Sequence, residues 1–220
     1  MSNKANCYIK KTILVSISTI LVAIGITLFL QSRLGSDPMT IWIDGLRRAL
    51  QIPLGQAALI NNGIMLILAL SFARKYIHLG TVIGALATGP IMGVIDPWVT
   101  QLMGADPSLG VRIAMMLIGQ VILCYAVGLN LSVKFGFGTT DSLIVTLCDK
   151  FKLRYKHIKM LADLLYAVCG ILIGGIVGVG TLIAVGTGGP LIAWFMKWQS
   201  DPMVERMGLI EIPVCEELVV

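Results

Sequence analysis

Charged residues interrupt this chain rarely, and the stretches between them set its architecture. Residues 12–32, 49–73, 76–95 and 113–133 contain no Asp, Glu, Lys or Arg, and a fifth such run covers 164–196. A helix of about 20 apolar residues crosses the hydrocarbon layer of a bilayer, so each of the first four runs predicts one span. The fifth run is 33 residues long; extended back through Asp163 to His157 it covers 40, enough for two spans. Gly174, Gly175, Gly178 and Gly180 mark the turn between those two. The first run follows Lys10 and Lys11, but it is too long for the apolar part of a signal peptide and no small-residue cleavage site follows it. The expected fold class is all-α, a polytopic membrane bundle of six transmembrane helices.

Two shorter segments accompany the spans. Ser36-Asp37-Pro38 reads as a helix start, with Asp37 as N-cap and Pro38 at the first helical position. The helix that follows, 39–50, carries Asp44, Arg47 and Arg48. It is too short to span and is expected to lie at the interface or to dip in re-entrantly. A second short helix is expected from Thr140 or Asp141 to about Lys150, with Thr140 the preferred cap.

Composition agrees with the pattern. Charged residues make up 13%, about half of the share usual in soluble chains. Apolar residues make up 56% and the mean hydropathy is +0.87, more apolar surface than a soluble domain of this size can hide. Disorder, a collagen-like fibre and a disulfide-rich secreted scaffold are excluded on the same grounds. With the N-terminus in the cytoplasm, 13 of the 17 Lys and Arg residues fall inside and only Arg33, Arg47, Arg48 and Arg112 fall outside. This bias predicts cytoplasmic N- and C-termini. The net charge of +5 is then no sign of nucleic-acid binding, because the dense stretch from Lys150 to Lys159 reads as a cytoplasmic loop beside anionic headgroups. The organisation expected is an N-terminal tail over 1–11, a membrane unit over 12–96, an external loop over 97–108, a second membrane unit over 109–197 and a C-terminal tail over 198–220.

Catalytic and metal signals are missing from the sequence. Cys124, Cys148 and Cys169 lie in or near spans, Cys7 and Cys215 lie in tails, and their spacing fits no metal site. There is no P-loop, Gly-x-Ser-x-Gly elbow or His-Glu-x-x-His helix, and His78 and His157 sit at helix ends. Neither an enzyme nor a cofactor is expected.

The two membrane units resemble each other. Leu79-Gly80-Thr81-Val82-Ile83 matches Val179-Gly180-Thr181-Leu182-Ile183 at an offset of 100, and Gly89-Pro90 matches Gly189-Pro190 at the same offset. Gly25 to Leu28 matches Gly128 to Leu131, and Leu34-Gly35-Ser36-Asp37 matches Phe137-Gly138-Thr139-Thr140-Asp141. Each unit holds three spans, so the second enters the membrane from the opposite side. Two inverted three-span repeats, each with an extra short helix, are the plan of many secondary transporters.

The candidate site residues follow from this plan. Asp37 and Asp141 start the short helices, whose N-terminal dipole ends can hold an anion; alternatively the two aspartates only cap them. Asp163 is the acidic residue inside a predicted span, which marks it as a proton or cation site unless it pairs with Lys159 one helical turn earlier. Asn62, beside Asn61, lies 101 residues before Asp163 and is a candidate for substrate hydrogen bonds. Gly89-Pro90 and Gly189-Pro190 are expected to break the third and sixth spans and to expose backbone carbonyls toward a central site. The set is therefore Asp37, Asn62, Gly89, Asp141, Asp163 and Gly189. Gln120, Asn130, Thr81, Thr181, Thr88 and Thr187 are expected to join helices by hydrogen bonds.

The Gly-Ser-Asp-Pro element after the first span, the Gly-Thr-Thr-Asp element after the fourth and the Gly-Thr…Gly-Pro pairs resemble the YczE/YyaS/YitT family of bacterial membrane proteins, the YczE branch most closely. The resemblance covers about residues 12–196 and implies a multi-spanning protein of the bacterial cytoplasmic membrane with no substrate assigned. The expected function is a small secondary transporter or permease for a small solute or ion. The alternative is a non-transporting membrane subunit or scaffold that assists a partner, docked through the acidic tail with Glu205, Glu211, Glu216 and Glu217. Six short spans enclose little cavity, so a homodimer within the lipid bilayer is also considered.

Overall fold

The structure, a computed structural model, describes residues 2–104, 107–133, 135–136, 138–152, 155–207 and 209. It contains nine α-helices and no strand among those residues: α1 (Ser2–Gln31), α2 (Pro38–Leu50), α3 (Leu54–Phe72), α4 (Leu79–Met103), α5 (Leu109–Val133), α6 (Thr139–Phe151), α7 (Tyr155–Leu172), α8 (Val179–Phe195) and α9 (Asp201–Arg206). A 3₁₀ turn, Arg74–Tyr76, joins α3 to α4, and a π-helical turn, Met196–Ser200, joins α8 to α9. Five of these stretches are long and apolar enough to cross a membrane: Asn6–Gln31, Leu54–Phe72, Leu79–Met103, Leu109–Val133 and Val179–Arg206. α7 occupies the place of the fifth predicted span but carries Lys159 and Asp163 and is less apolar than those five.

The centre of the bundle is the pair α1 and α5, which meet backbone to backbone. A methyl group on Gly25 would sit 2.9 Å from the Leu123 nitrogen, and one on Gly119 would sit 2.8 Å from the Phe29 nitrogen. Without a hydrophobic force between helices in lipid, such close approach supplies the attraction, and Ser18 adds a 2.9 Å hydrogen bond to the Ala126 carbonyl. The hydroxyls of Ser16, Thr19 and Thr27 donate to carbonyls one turn back in α1, so they cost little in an apolar surrounding. At the open end of α1, the Arg112 guanidinium donates to the Ser32 and Arg33 carbonyls, both at 2.8 Å. That closes carbonyls the helix itself cannot satisfy.

Around this pair, α4 packs on α1 and α3, α8 packs on α5, α2 packs on α7 and α3, and α6 packs on α3 and α7. Tyr76, in the 3₁₀ turn, hydrogen-bonds Asp149 of α6. One apolar cluster joins Leu14, Val15, Leu129 and Val133 to Val204 and Leu209 beyond the last long helix. A second joins Ala23, Leu30, Ile43, Leu54, Ala57, Ala58 and Met92.

Several sequence expectations are corrected here. The stretch expected as an N-terminal tail is helical from Ser2 and continuous with the first span, so Cys7 and Lys11 lie on α1. The expected external loop shrinks, because α4 continues to Met103 and takes in Asp96, whose carboxylate accepts a 2.5 Å hydrogen bond from Gln31. The start of the expected C-terminal tail folds back on α5 through α9. None of the three helix prolines breaks its helix: α4 runs through Pro90 and Pro97, and α8 runs through Pro190. One missing N–H per proline is tolerated in a long helix held by neighbours. Cys215, Glu211, Glu216, Glu217 and the end Leu218-Val219-Val220 lie outside the described residues.

Candidate functional site

The links that follow α1 and α5 have matching geometry. After α1, Gly35 takes φ +107°, and the Leu34 carbonyl accepts a 2.7 Å hydrogen bond from the Gly180 N–H at the start of α8. After α5, Gly136 takes φ +126°, and the Phe135 carbonyl accepts a 3.2 Å hydrogen bond from the Gly80 N–H at the start of α4. Both backbones enter a region that side-chain-bearing residues rarely adopt. The counterpart of Gly35 is therefore Gly136 and not Gly138, which corrects the sequence match by two residues. The bonding glycine at each helix start is also closely packed, more so at α4 than at α8. A methyl group on Gly80 would lie 2.6 Å from the Phe135 oxygen, and one on Gly180 would lie 3.0 Å from the Leu34 oxygen.

These links deliver the two short helices. Asp37 caps α2 as expected: its carboxylate accepts from the Thr40 N–H at 3.3 Å and from the Thr40 hydroxyl at 2.5 Å, and Pro38 opens the helix. The cap of α6 is Gly138 rather than Thr140. Asp141 stands in the first turn instead, with its carboxylate folded back toward Gly138. An acidic group there complements the helix dipole where the glycine cap offers no side chain.

Both N-terminal ends come to the middle of α7. Gly170 of α7 lies against Ile41 and Trp42, and Gly45 lies against Ile173, so α2 and α7 run side by side in the same direction. This brings Asp37 alongside Asp163. From the other side, the Thr140 hydroxyl lies 3.3 Å from the Tyr166 hydroxyl. The Lys159 ammonium bonds Asp163 at 2.8 Å and lies within electrostatic reach of Asp141 and Asp37. Lys159 thus pairs with Asp163, and the starts of α2 and α6, with Asp37 and Asp141, lie on the same stretch of α7.

The other predicted residues lie elsewhere. Asn62 is buried in the α2–α3 joint, where the Trp42 indole donates to Asn61 at 3.2 Å and the Asn61 amide donates to Asn62 at 3.3 Å. Gly89 is a packing residue, with Leu59 and the Gly55 carbonyl of α3 where a side chain would go, and Gly189 has open space around it among the described residues. Neither lies in the aspartate–lysine cluster. Sequence reading named Lys159 only as a rival partner for Asp163, and it missed Tyr166 and Trp42. The spacing of Lys159, Asp163 and Tyr166, at intervals of four and three on one helix, was the available signal.

Next to the cluster, α6 and α7 enclose a cavity of about 590 Å³. Its walls include Trp42, Leu143, Leu147, Leu161, Leu165 and Tyr166. Leu147, Leu161 and Leu165 are also exposed, so the cavity opens outward between the two helices.

Residues 9–197 match a family model described as a family of unknown function, DUF6198. An uncharacterised protein of Bacillus subtilis, YyaS, is 30% identical over 192 residues, 86% of this chain and 92% of that one. The uncharacterised membrane protein YczE of Bacillus subtilis is 27% identical over 185 residues, 82% of each chain. An uncharacterised protein of Haemophilus influenzae is 26% identical over 178 residues, 80% of this chain and 79% of its own. The resemblance drawn from the glycine–aspartate elements agrees with these relatives. No solved structure matches the chain.

Proposed function

We propose that this chain, which belongs to the DUF6198 family, is a small secondary transporter of the bacterial cytoplasmic membrane, with its site where two inverted halves meet. In this reading α7 is the sixth span and both termini are cytoplasmic, as the charge bias favours. The halves are α1 to α4 and α5 to α8, and α2 and α6 are re-entrant half-helices. The observation that carries the reading is the convergence of α2 and α6: polar helix starts from the two halves meet at the middle of α7, beside Lys159 and three carboxylates. Discontinuous helices that end at mid-membrane are how transporters of inverted-repeat build bring polar groups to a solute.

The inversion is supported by paired contacts. Gly180 bonds Leu34, and Gly80 bonds Phe135. Likewise α1 packs on α4 as α5 packs on α8, and α2 packs on α7 as α6 packs on α3. A membrane subunit that assists a partner is the second reading. It draws on the open surface of α8, where Gly186 and Gly189 have no neighbour among the described residues.

Met39 and Thr140, 101 residues apart, test the reading because they hold matching places at the starts of α2 and α6. Each is replaced by cysteine in a variant without native cysteines. An impermeant maleimide is then added to right-side-out and to inside-out vesicles. A transporter that alternates its access labels each position from both sides. Labelling of each position from one side only rejects alternating access and favours the subunit.

A further inference from the structure

We infer that the groove between α6 and α7 is a lipid site: it takes an acyl chain of an anionic phospholipid, whose headgroup rests on the basic link between the two helices. The inference goes beyond the transporter reading and needs only that α7 lies in the bilayer. α7 turns Leu161, Leu164, Leu165 and Leu172 outward, each more than half exposed, an apolar face that suits lipid. The groove holds about 590 Å³, opens outward and has no charged residue in its walls. Its polar groups are already engaged: the Thr140 and Tyr166 hydroxyls lie 3.3 Å apart, and the Trp42 indole donates to Asn61 at 3.2 Å. A polar solute would lose its hydrogen bonds to water there without replacement, whereas an acyl chain gives up none. Phe151 and Ile158 line the groove at the link end, and Thr140 and Cys169 line it at the other. On each helix those ends are eleven residues apart, about 16 Å along the axis, close to the depth of one leaflet of a hydrocarbon layer about 30 Å thick.

The link end supplies the charge that a headgroup needs. Residues 150–159 hold five Lys and Arg residues and no Asp or Glu. Lys159 is paired with Asp163. Lys150 and Lys152 flank the lining residue Phe151, and both are exposed. Among the described residues neither has an ion-pair partner, and the neighbouring Asp149 carboxylate is engaged by Tyr76. The Lys150 ammonium stands 5.9 Å from the centre of the Phe151 ring, so its charge lies at the mouth of the groove. Basic clusters beside membrane helices bind anionic headgroups, and one at the end of an apolar groove selects the lipid that enters it. On the charge bias of the chain, that lipid comes from the cytoplasmic leaflet.

Trp42 lines the groove and reports its contents. The full chain, with Trp98, Trp194 and Trp198 replaced by phenylalanine, is placed in phosphatidylcholine vesicles that contain a small share of lipid with brominated chains, which quench tryptophan on contact. Brominated phosphatidylglycerol is expected to quench Trp42 at about a fifth or less of the mole fraction that phosphatidylcholine with the same chains needs. Lys150→Gln together with Lys152→Gln is expected to bring the two lipids level. Ala162→Phe fills the groove and is expected to abolish quenching by both, with the melting temperature unchanged. Glycerol 1-phosphate, a headgroup without chains, is expected not to relieve the quenching; relief would make this a site for a soluble phosphate and overturn the lipid. Equal quenching by the two lipids in the parent overturns the headgroup assignment. Quenching by neither shows that lipid does not enter the groove, as where a second copy covers it, and overturns the site. The two-sided labelling of Met39→Cys and Thr140→Cys reads access alone, so the lipid site and the transporter reading fail separately.

Discussion

The helix pairs α3–α4, which follows the short helix α2, and α7–α8, which follows the short helix α6, are built differently. α3 and α4 are clasped: a methyl group on Gly55 would strike the Gly89 carbonyl, and one on Gly89 would sit 2.9 Å from the Leu59 nitrogen. Among the described residues, α7 and α8 do not pack along each other, and Gly186 and Gly189 face open space. The shared Gly-Pro pair therefore serves close packing in one hairpin and not in the other. α7 is held by α2 and α6 instead, so the element that carries Lys159, Asp163 and Tyr166 is fixed by the two short helices rather than by its own sequence neighbour.

The largest expected effect breaks the comparison directly. Gly55→Leu forces a side chain into backbone and is expected to cost about 3 kcal/mol, or to prevent folding. Gly189→Leu meets nothing and is expected to leave the melting temperature in detergent within error of the parent. Equal losses at the two sites would mean that α8 packs as α4 does. A loss at neither would mean that the α3–α4 contact is looser than drawn.

What the sequence made legible follows the same divide. Helix positions were readable because charge-free runs and glycine clusters report burial in lipid directly, and the α2 cap was readable because Asp37-Pro38 has a local signature. The ends were less so. α4 carries Asp96 within a helix because Gln31 from α1 satisfies it, and no local pattern announces a partner 65 residues away. The second cap was misread because Thr140 is the better capping side chain, whereas the backbone reverses at Gly136 and starts the helix after Gly138. The gathering of Asp37, Asp141 and Asp163 around Lys159 depends on α2 lying along α7, a tertiary contact invisible in any one segment. The helix breaks expected at Gly89-Pro90 and Gly189-Pro190 are absent because a Gly-Pro pair in a membrane helix need not open it.

The two left-handed glycines sharpen the likeness that does hold. Gly35→Ala places a methyl group 2.6 Å from the Gly178 nitrogen, and Gly136→Ala places one 2.6 Å from the Thr81 hydroxyl. Each substitution is expected to cost about 2 kcal/mol, from the strained φ together with the contact. The two sites share no partner, so the double variant is expected to show the sum. A neutral Gly136→Ala would restore the match of Gly35 with Gly138 and remove the paired link geometry.

The smallest effects separate the two short helices at their first residue. Asp37 supplies α2 with a side-chain cap, so Asp37→Ala is expected to cost about 1 kcal/mol in chemical unfolding, whatever the residue does for a solute. At Gly138 the sign reverses. Aspartate is a slightly better cap than glycine, so Gly138→Asp gains at most about 0.3 kcal/mol from capping. Asp141 already folds back toward that position, and a methyl group on Gly138 would sit 2.9 Å from its carboxylate. The added charge therefore repels Asp141, and the net change is expected to lie near zero or slightly below. Asp141→Asn removes that repulsion, so Gly138→Asp is expected to stabilise the Asp141→Asn variant more than it stabilises the parent. A gain that is the same in both backgrounds would show that Asp141 does not act at the α6 start, and would release its charge wholly to the cluster around Lys159.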